Sequence, residues 1–94
     1  MIIVAGRLYV RPERREAFLA ASAVAVNAAR RSAGCLDFVV AADPIEPDRV
    51  NVYERWDTEA SLLAFRGEGP SSELTSEILR ADVQRHYVSS SGPP

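Results

Sequence analysis

Apolar residues fall at alternate positions over residues 2–10, and over residues 18–29 they recur every three or four residues. Ile2, Val4, Gly6, Leu8 and Val10 form one wholly non-polar parity, while Arg7 and Tyr9 share the other. Residues 2–10 therefore read as a strand whose apolar side faces a helix layer. Phe18, Ala21, Ser22, Ala25, Val26 and Ala29 then trace the buried stripe of a first helix. Pro12 suits its first turn, Glu13 and Glu16 lie near its positive end, and Arg30 and Arg31 near its negative end. Gly34 offers the left-handed position that ends it. Cys35–Ala42 reads as a second strand with Leu36, Phe38 and Val40 on one side. The turn residues 43–48 join it in a hairpin to a third strand, Val50–Trp56. Asp57 or Thr58 caps a second helix running from about Thr58 to Arg66. Gly67-Glu68-Gly69-Pro70 breaks the periodicity and is the candidate for a mobile lid. Ser71 or Ser72 caps a last helix containing Leu74, Ile78 and Leu79, and Asp82–Val88 forms the fourth strand. Residues 89–94 have no apolar content to bury and read as a frayed tail.

The resulting order, β-α-β-β-α-β, is an α+β ferredoxin-like arrangement: a four-stranded antiparallel sheet in one domain, residues 1–88, with helices on one face. A chain of 94 residues builds an adequate but small core. The uncovered face, with Arg7 and Tyr9, would meet water or the sheet of a second copy, which makes a homodimer through that face the expected partner.

Eleven basic and thirteen acidic residues give a net charge of −2, which leaves no electrostatic footprint for nucleic acid or an anionic membrane. Cys35 is the only cysteine, so an intrachain disulfide and a multi-cysteine zinc site are excluded. With no basic leader and no apolar run of bilayer length, the sequence reads as a cytoplasmic protein.

Candidate chemistry gathers where the third strand meets the second helix. Trp56, the only tryptophan, sits at that corner. It is either the largest core residue or one wall of an apolar pocket, with Gly6, Phe38, Val52, Leu62 and Phe65 as the other lining residues. Such a pocket suits an aromatic small molecule. Gly6 either admits a ligand or accommodates packing. Glu54, on the strand parity of Trp56, and His86 are the candidate proton acceptors. Their structural alternatives are an arginine partner across the strands for Glu54 and a structural role for a lone histidine. His86 is the sole histidine, and no metal constellation, phosphate-cradling glycine loop or nucleophile elbow is present in the pattern.

Ile2-Ile3-Val4-Ala5-Gly6, the Arg11-Pro12 helix opening, Gly34-Cys35-Leu36, the Asp43-Pro44 loop, Tyr53-Glu54-Arg55-Trp56 followed by Glu59-Ala60, and Val83-Gln84-Arg85-His86-Tyr87 together resemble the antibiotic biosynthesis monooxygenase family. The resemblance covers residues 1 to about 88. It implies protomers whose sheets pair into a dimeric α/β barrel. It also implies oxygenation of phenols, quinols or anthrones with no cofactor, neither metal nor flavin, and Trp56 in the pocket. Two departures accompany it. Gly6 stands where some members have asparagine, and Phe65-Arg66-Gly67-Glu68-Gly69-Pro70 stands where many have a histidine, so the haem-binding branch is not implied. The expectation is a homodimeric monooxygenase of a quinol-like substrate, with Trp56, His86 and Glu54 as catalytic candidates. A non-catalytic quinone-binding protein and an acid/base isomerase of the same superfamily are the alternatives.

Overall fold

The computed structural model describes residues 1–67 and 72–94. Strands β1 (Ile2–Tyr9), β2 (Cys35–Ala42), β3 (Arg49–Trp56) and β4 (Arg80–Tyr87) alternate with helices α1 (Arg15–Arg30), α2 (Glu59–Arg66) and the short α3 (Ser72–Ser76), which precedes β4. The strands form one antiparallel sheet in the order β2-β3-β1-β4. This is the ferredoxin-like arrangement that the alternation of periods predicts. Residues 68–70 of the expected lid, and Ser71 as a helix cap, lie outside the described residues.

Pro12 opens a single 3-10 turn, Pro12–Arg14, and α1 proper begins only at Arg15. That helix ends at Arg30 without Gly34, whose left-handed φ of 83° serves the turn into β2 instead. A Cβ at Gly34 would stand 2.2 Å from Ser61 Oγ and 2.3 Å from Asp57 Oδ1. Glycine thus lets the start of β2 run beneath the cap of α2, where the Asp57 N–H donates to the Gly34 carbonyl at 2.9 Å. Thr58 is the residue that caps α2, its Oγ1 accepting from the Ser61 N–H at 3.2 Å.

Strand parity is kept in β1 and broken in β2. Ile2 and Val4 enter one core cluster with Ala29, Phe38, Trp56 and Leu62. Leu8 packs on a second, formed by Val10, Phe18 and Val50. In β2 the register against β3 shifts between Cys35 and Asp37. This irregularity turns Leu36 outward, 48% exposed, and brings Cys35 and Phe38 to the core side, so Leu36 does not share a side with Phe38 as strict alternation would require. On the uncovered face Tyr9 is not left to solvent. Its ring lies 4.1 Å below the Arg80 guanidinium, and its hydroxyl donates to Glu46 at 3.4 Å. Ile78 and Leu79 fall beyond α3, and the Leu79 N–H donates to the Tyr9 carbonyl, so β4 pairs from Arg80 rather than from Asp82.

Candidate functional site

Across the helix-covered face, register places Cys35, Trp56, Ile2 and Tyr87 in one row; Phe38, Glu54, Val4 and Arg85 form the next. Helix α2 lies over these rows. Its Leu62 is wholly buried with Trp56, and its Phe65 ring centroid stands 5.4 Å from that of Trp56 and 5.8 Å from that of Phe38, edge-on to the latter. Three aromatic rings and Leu62 thus meet beneath one helix.

Glu54 is buried to 5% exposure in this apolar setting, which a carboxylate tolerates only when its charge is met. Oε1 accepts the Trp56 indole N–H at 3.1 Å, and Oε2 accepts an Arg66 guanidinium N–H at 3.0 Å. The partner is therefore an arginine from the covering helix and not one across the strands. At the other end of α2, Glu59 receives the Arg85 guanidinium at 3.1 Å and also the Tyr87 hydroxyl. These donors, the tyrosine first, hold the Glu59 carboxyl below its ordinary range. Burial pushes the Cys35 thiol up, and the negative charges of Asp37 and Glu54 add to that.

The structure thus brings Trp56, Glu54, Phe38, Leu62 and Phe65 together. Val52 lies one row further along the strand, opposite Gly6 and Val40, and is part-buried. At Gly6 a Cβ would stand 2.0 Å from the Asp82 carbonyl oxygen and 2.7 Å from Val83 Cα. The space that the missing side chain leaves is filled by the β4 backbone, which makes Gly6 the close-approach point of two strands. His86 lies opposite Ile3, on the other face of the sheet from Trp56, and is exposed; its neighbours Arg85 and Tyr87 are the β4 residues on the Trp56 side.

Trp56 and Leu62 have no solvent-exposed surface, so the predicted lining is a closed core in this conformation. Among the described residues, no group of three or more His, Cys, Asp and Glu side chains is placed to hold a metal ion, and no helix is long and apolar enough to cross a membrane. Sequence reasoning missed Arg66. The available signal was the parity of Glu54, which buries a charge under α2 and so requires a cation from that helix.

A family model described as antibiotic biosynthesis monooxygenase matches residues 1–73. The uncharacterized protein sll1783 of Synechocystis is 31% identical over 61 residues, 65% of this chain and 42% of that protein, so the chain spans less than half of that relative's length. Among solved structures, a candidate antibiotic biosynthesis monooxygenase from Chloroflexus aurantiacus is 28% identical, with a TM-score of 0.75 over 99% of this chain and 96% of that one. Another from Deinococcus radiodurans superposes with a TM-score of 0.81 over 100% of this chain and 98% of that one, at 17% identity, a likeness of fold.

Proposed function

Because the chain belongs to the antibiotic biosynthesis monooxygenase family, we propose that it oxygenates a small aromatic molecule of quinol, phenol or anthrone type without metal or flavin. The observation that carries this reading is the group of Trp56, Phe38 and Phe65, closed at one side by the Glu54–Arg66 ion pair. The group is a closed core in this conformation, so a flat ring enters only as α2 moves off the sheet; a dry aromatic setting of this kind suits such a ring. An ionised ring of this kind is itself the reductant. It passes one electron to dioxygen, the radical pair combines to a peroxide, and loss of water leaves a carbonyl, the two hydrogens coming from the CH2 of an anthrone or from the ring C–H and the hydroxyl of a phenol or quinol. One oxygen atom enters the product, and the other leaves as water with the two hydrogens. The protein's part is to orient the ring and favour its ionised form. His86, on the opposite face, has no part in this reading.

Oxygen uptake by purified protein, measured with a panel of quinols and anthrones, tests the proposal. Uptake matched to product formation, and reduced in Trp56→Phe, is expected; no uptake across the panel overturns it. One observation favours a second reading, a binding protein without turnover: Glu54, the buried carboxylate among the described residues, already accepts a hydrogen bond on each oxygen and is ion-paired with Arg66, which weakens it as a base. Saturable binding without oxygen consumption identifies that case, and product formed under anaerobic conditions identifies an isomerase. We further propose that the uncovered sheet face pairs two copies, and that the protein works in the cytoplasm, where Cys35 remains a thiol.

A further inference from the structure

We propose that Arg66 recognises an acidic hydroxyl on the substrate ring and holds it as the phenolate or enolate. This rests on the aromatic-substrate reading above and adds the residue that selects the ligand's polar group.

Glu54 uses one acceptor position on each carboxylate oxygen, for Trp56 and Arg66, and so keeps acceptor capacity on both. The Arg66 guanidinium carries five N–H groups, and Nη2 makes its bond to Glu54. The ion pair therefore presents an acceptor and several donors side by side. A carboxylate ligand has no hydrogen to give Glu54, and an ammonium ligand has no lone pair with which to accept from Arg66. A neutral, weakly acidic hydroxyl suits both: it donates to Glu54 while protonated and accepts from Arg66 once ionised, its proton passing to solvent.

Position supports the same assignment. The Arg66 side chain is 39% exposed, whereas Trp56 behind it has no exposed surface, so the guanidinium is the accessible polar group at the edge of the aromatic cluster. Among the described residues, the ionisable groups on neighbouring elements that share the helix-covered face with Glu54 are engaged or neutral. Arg85 of β4 is bonded to Glu59 of α2, Arg30 of α1 donates to the Phe38 carbonyl at 2.8 Å, and Cys35 of β2 remains a thiol. Arg66 is thus the cation placed to face a ring oxygen arriving beside Phe65.

The probe is 4-nitrophenol, whose neutral and ionised forms absorb at different wavelengths. Binding is read by quenching of Trp56 emission, and ionisation of the bound probe by its absorbance across the pH range in which the free phenol titrates. Replacing Arg66 by glutamine is expected to lower the bound phenolate-to-phenol ratio about tenfold, the size of effect that an adjacent opposite charge produces. Arg66→Lys should keep the ratio near that of the wild type. If Arg66→Gln does not fold, comparison of Glu54→Gln with Glu54→Gln/Arg66→Gln isolates the same effect without leaving a lone buried carboxylate. Saturable quenching with an unchanged ratio overturns the role of Arg66 and leaves the aromatic site standing. No saturable quenching in the wild type overturns both.

Discussion

Glu54 on β3 and Arg66 at the last turn of α2 meet at 3.0 Å, and the same carboxylate holds the Trp56 indole two residues along its own strand. A second ion pair of reversed polarity, Glu59 with Arg85, ties the first turn of α2 to β4. The helix is therefore fixed at both ends, and the two fastenings differ in strength. The Glu59–Arg85 pair is substantially exposed and contributes little, whereas Glu54 is only 5% exposed. Replacing Arg66 by leucine leaves that carboxylate with the indole alone. The expected cost is about 1–3 kcal/mol, discounted because Arg66 is partly solvated. In a domain of this size that lowers the melting temperature by roughly 4–8 °C per kcal/mol. Calorimetry of Arg66→Leu beside Arg85→Leu checks the ranking: equal losses would remove the distinction between the two ends.

Gly6 gives a second expectation. A Cβ at this residue overlaps the Asp82 carbonyl oxygen at 2.0 Å, an atom of the backbone that cannot rotate away. Gly6→Ala must push β4 off the sheet edge, at a cost of at least about 3 kcal/mol, the upper range of overpacking. Hydrogen exchange of the β4 amides should accelerate in the variant while the β2–β3 ladder stays protected. A fully stable Gly6→Ala protein would contradict the close approach.

Much of this architecture was legible because β1, β3 and α1 each carry a clear apolar periodicity. Trp56, Phe38, Leu62 and Phe65 meet in one closed core cluster under α2. The orientation of β4 was not legible. Neither Val83, Arg85 and Tyr87 nor Asp82, Gln84 and His86 is an apolar set, so only register against β1 decides that Tyr87 lies opposite Ile2 and His86 opposite Ile3. The irregularity at Leu36 escaped for a related reason, since one residue out of register reverses the side on which every following side chain falls. Arg66 escaped because a helix-terminal arginine fits the helix dipole equally well, and only the burial of Glu54 shows that it has a further role.

Acid sensitivity should concentrate in the hairpin loop. The Asp43 carboxyl is held down to about 2 by the Glu46 N–H, then by the Asn51 amide, the Ile45 N–H and the Arg49 guanidinium. In the unfolded chain it titrates near about 3.9. The unfolded state therefore binds the proton first, so this contribution to stability is present above about pH 4 and is lost as pH falls toward about 2. Denaturant midpoints measured through that window should fall less steeply in Asp43→Asn than in the wild type. The slope that remains belongs in part to Asp57 and Glu59, whose carboxyls are also lowered, Asp57 chiefly by the Ser61 hydroxyl. Parallel curves for the two proteins would show that the loop contributes nothing in acid.

The uncovered sheet face carries the last expectation. Ile3 and Ala5 of β1, Tyr53 of β3 and Val39 of β2 form an apolar strip across it, flanked by Arg7, Arg49 and Arg55. A strip on two central strands and one edge strand suits a second copy of the same sheet, and a stable pairing needs about 800 Å² from each partner. Ala5 lies between Tyr53 and Gln84, at the middle of that face. Ala5→Glu places an unpaired charge there and should convert a dimer to a monomer in light scattering coupled to gel filtration. Val24→Glu, on the outer side of α1 where Val24 is 74% exposed, should leave the mass unchanged. A wild-type protein that remains monomeric at high concentration, or an Ala5→Glu variant that still dimerises, refutes sheet-to-sheet pairing.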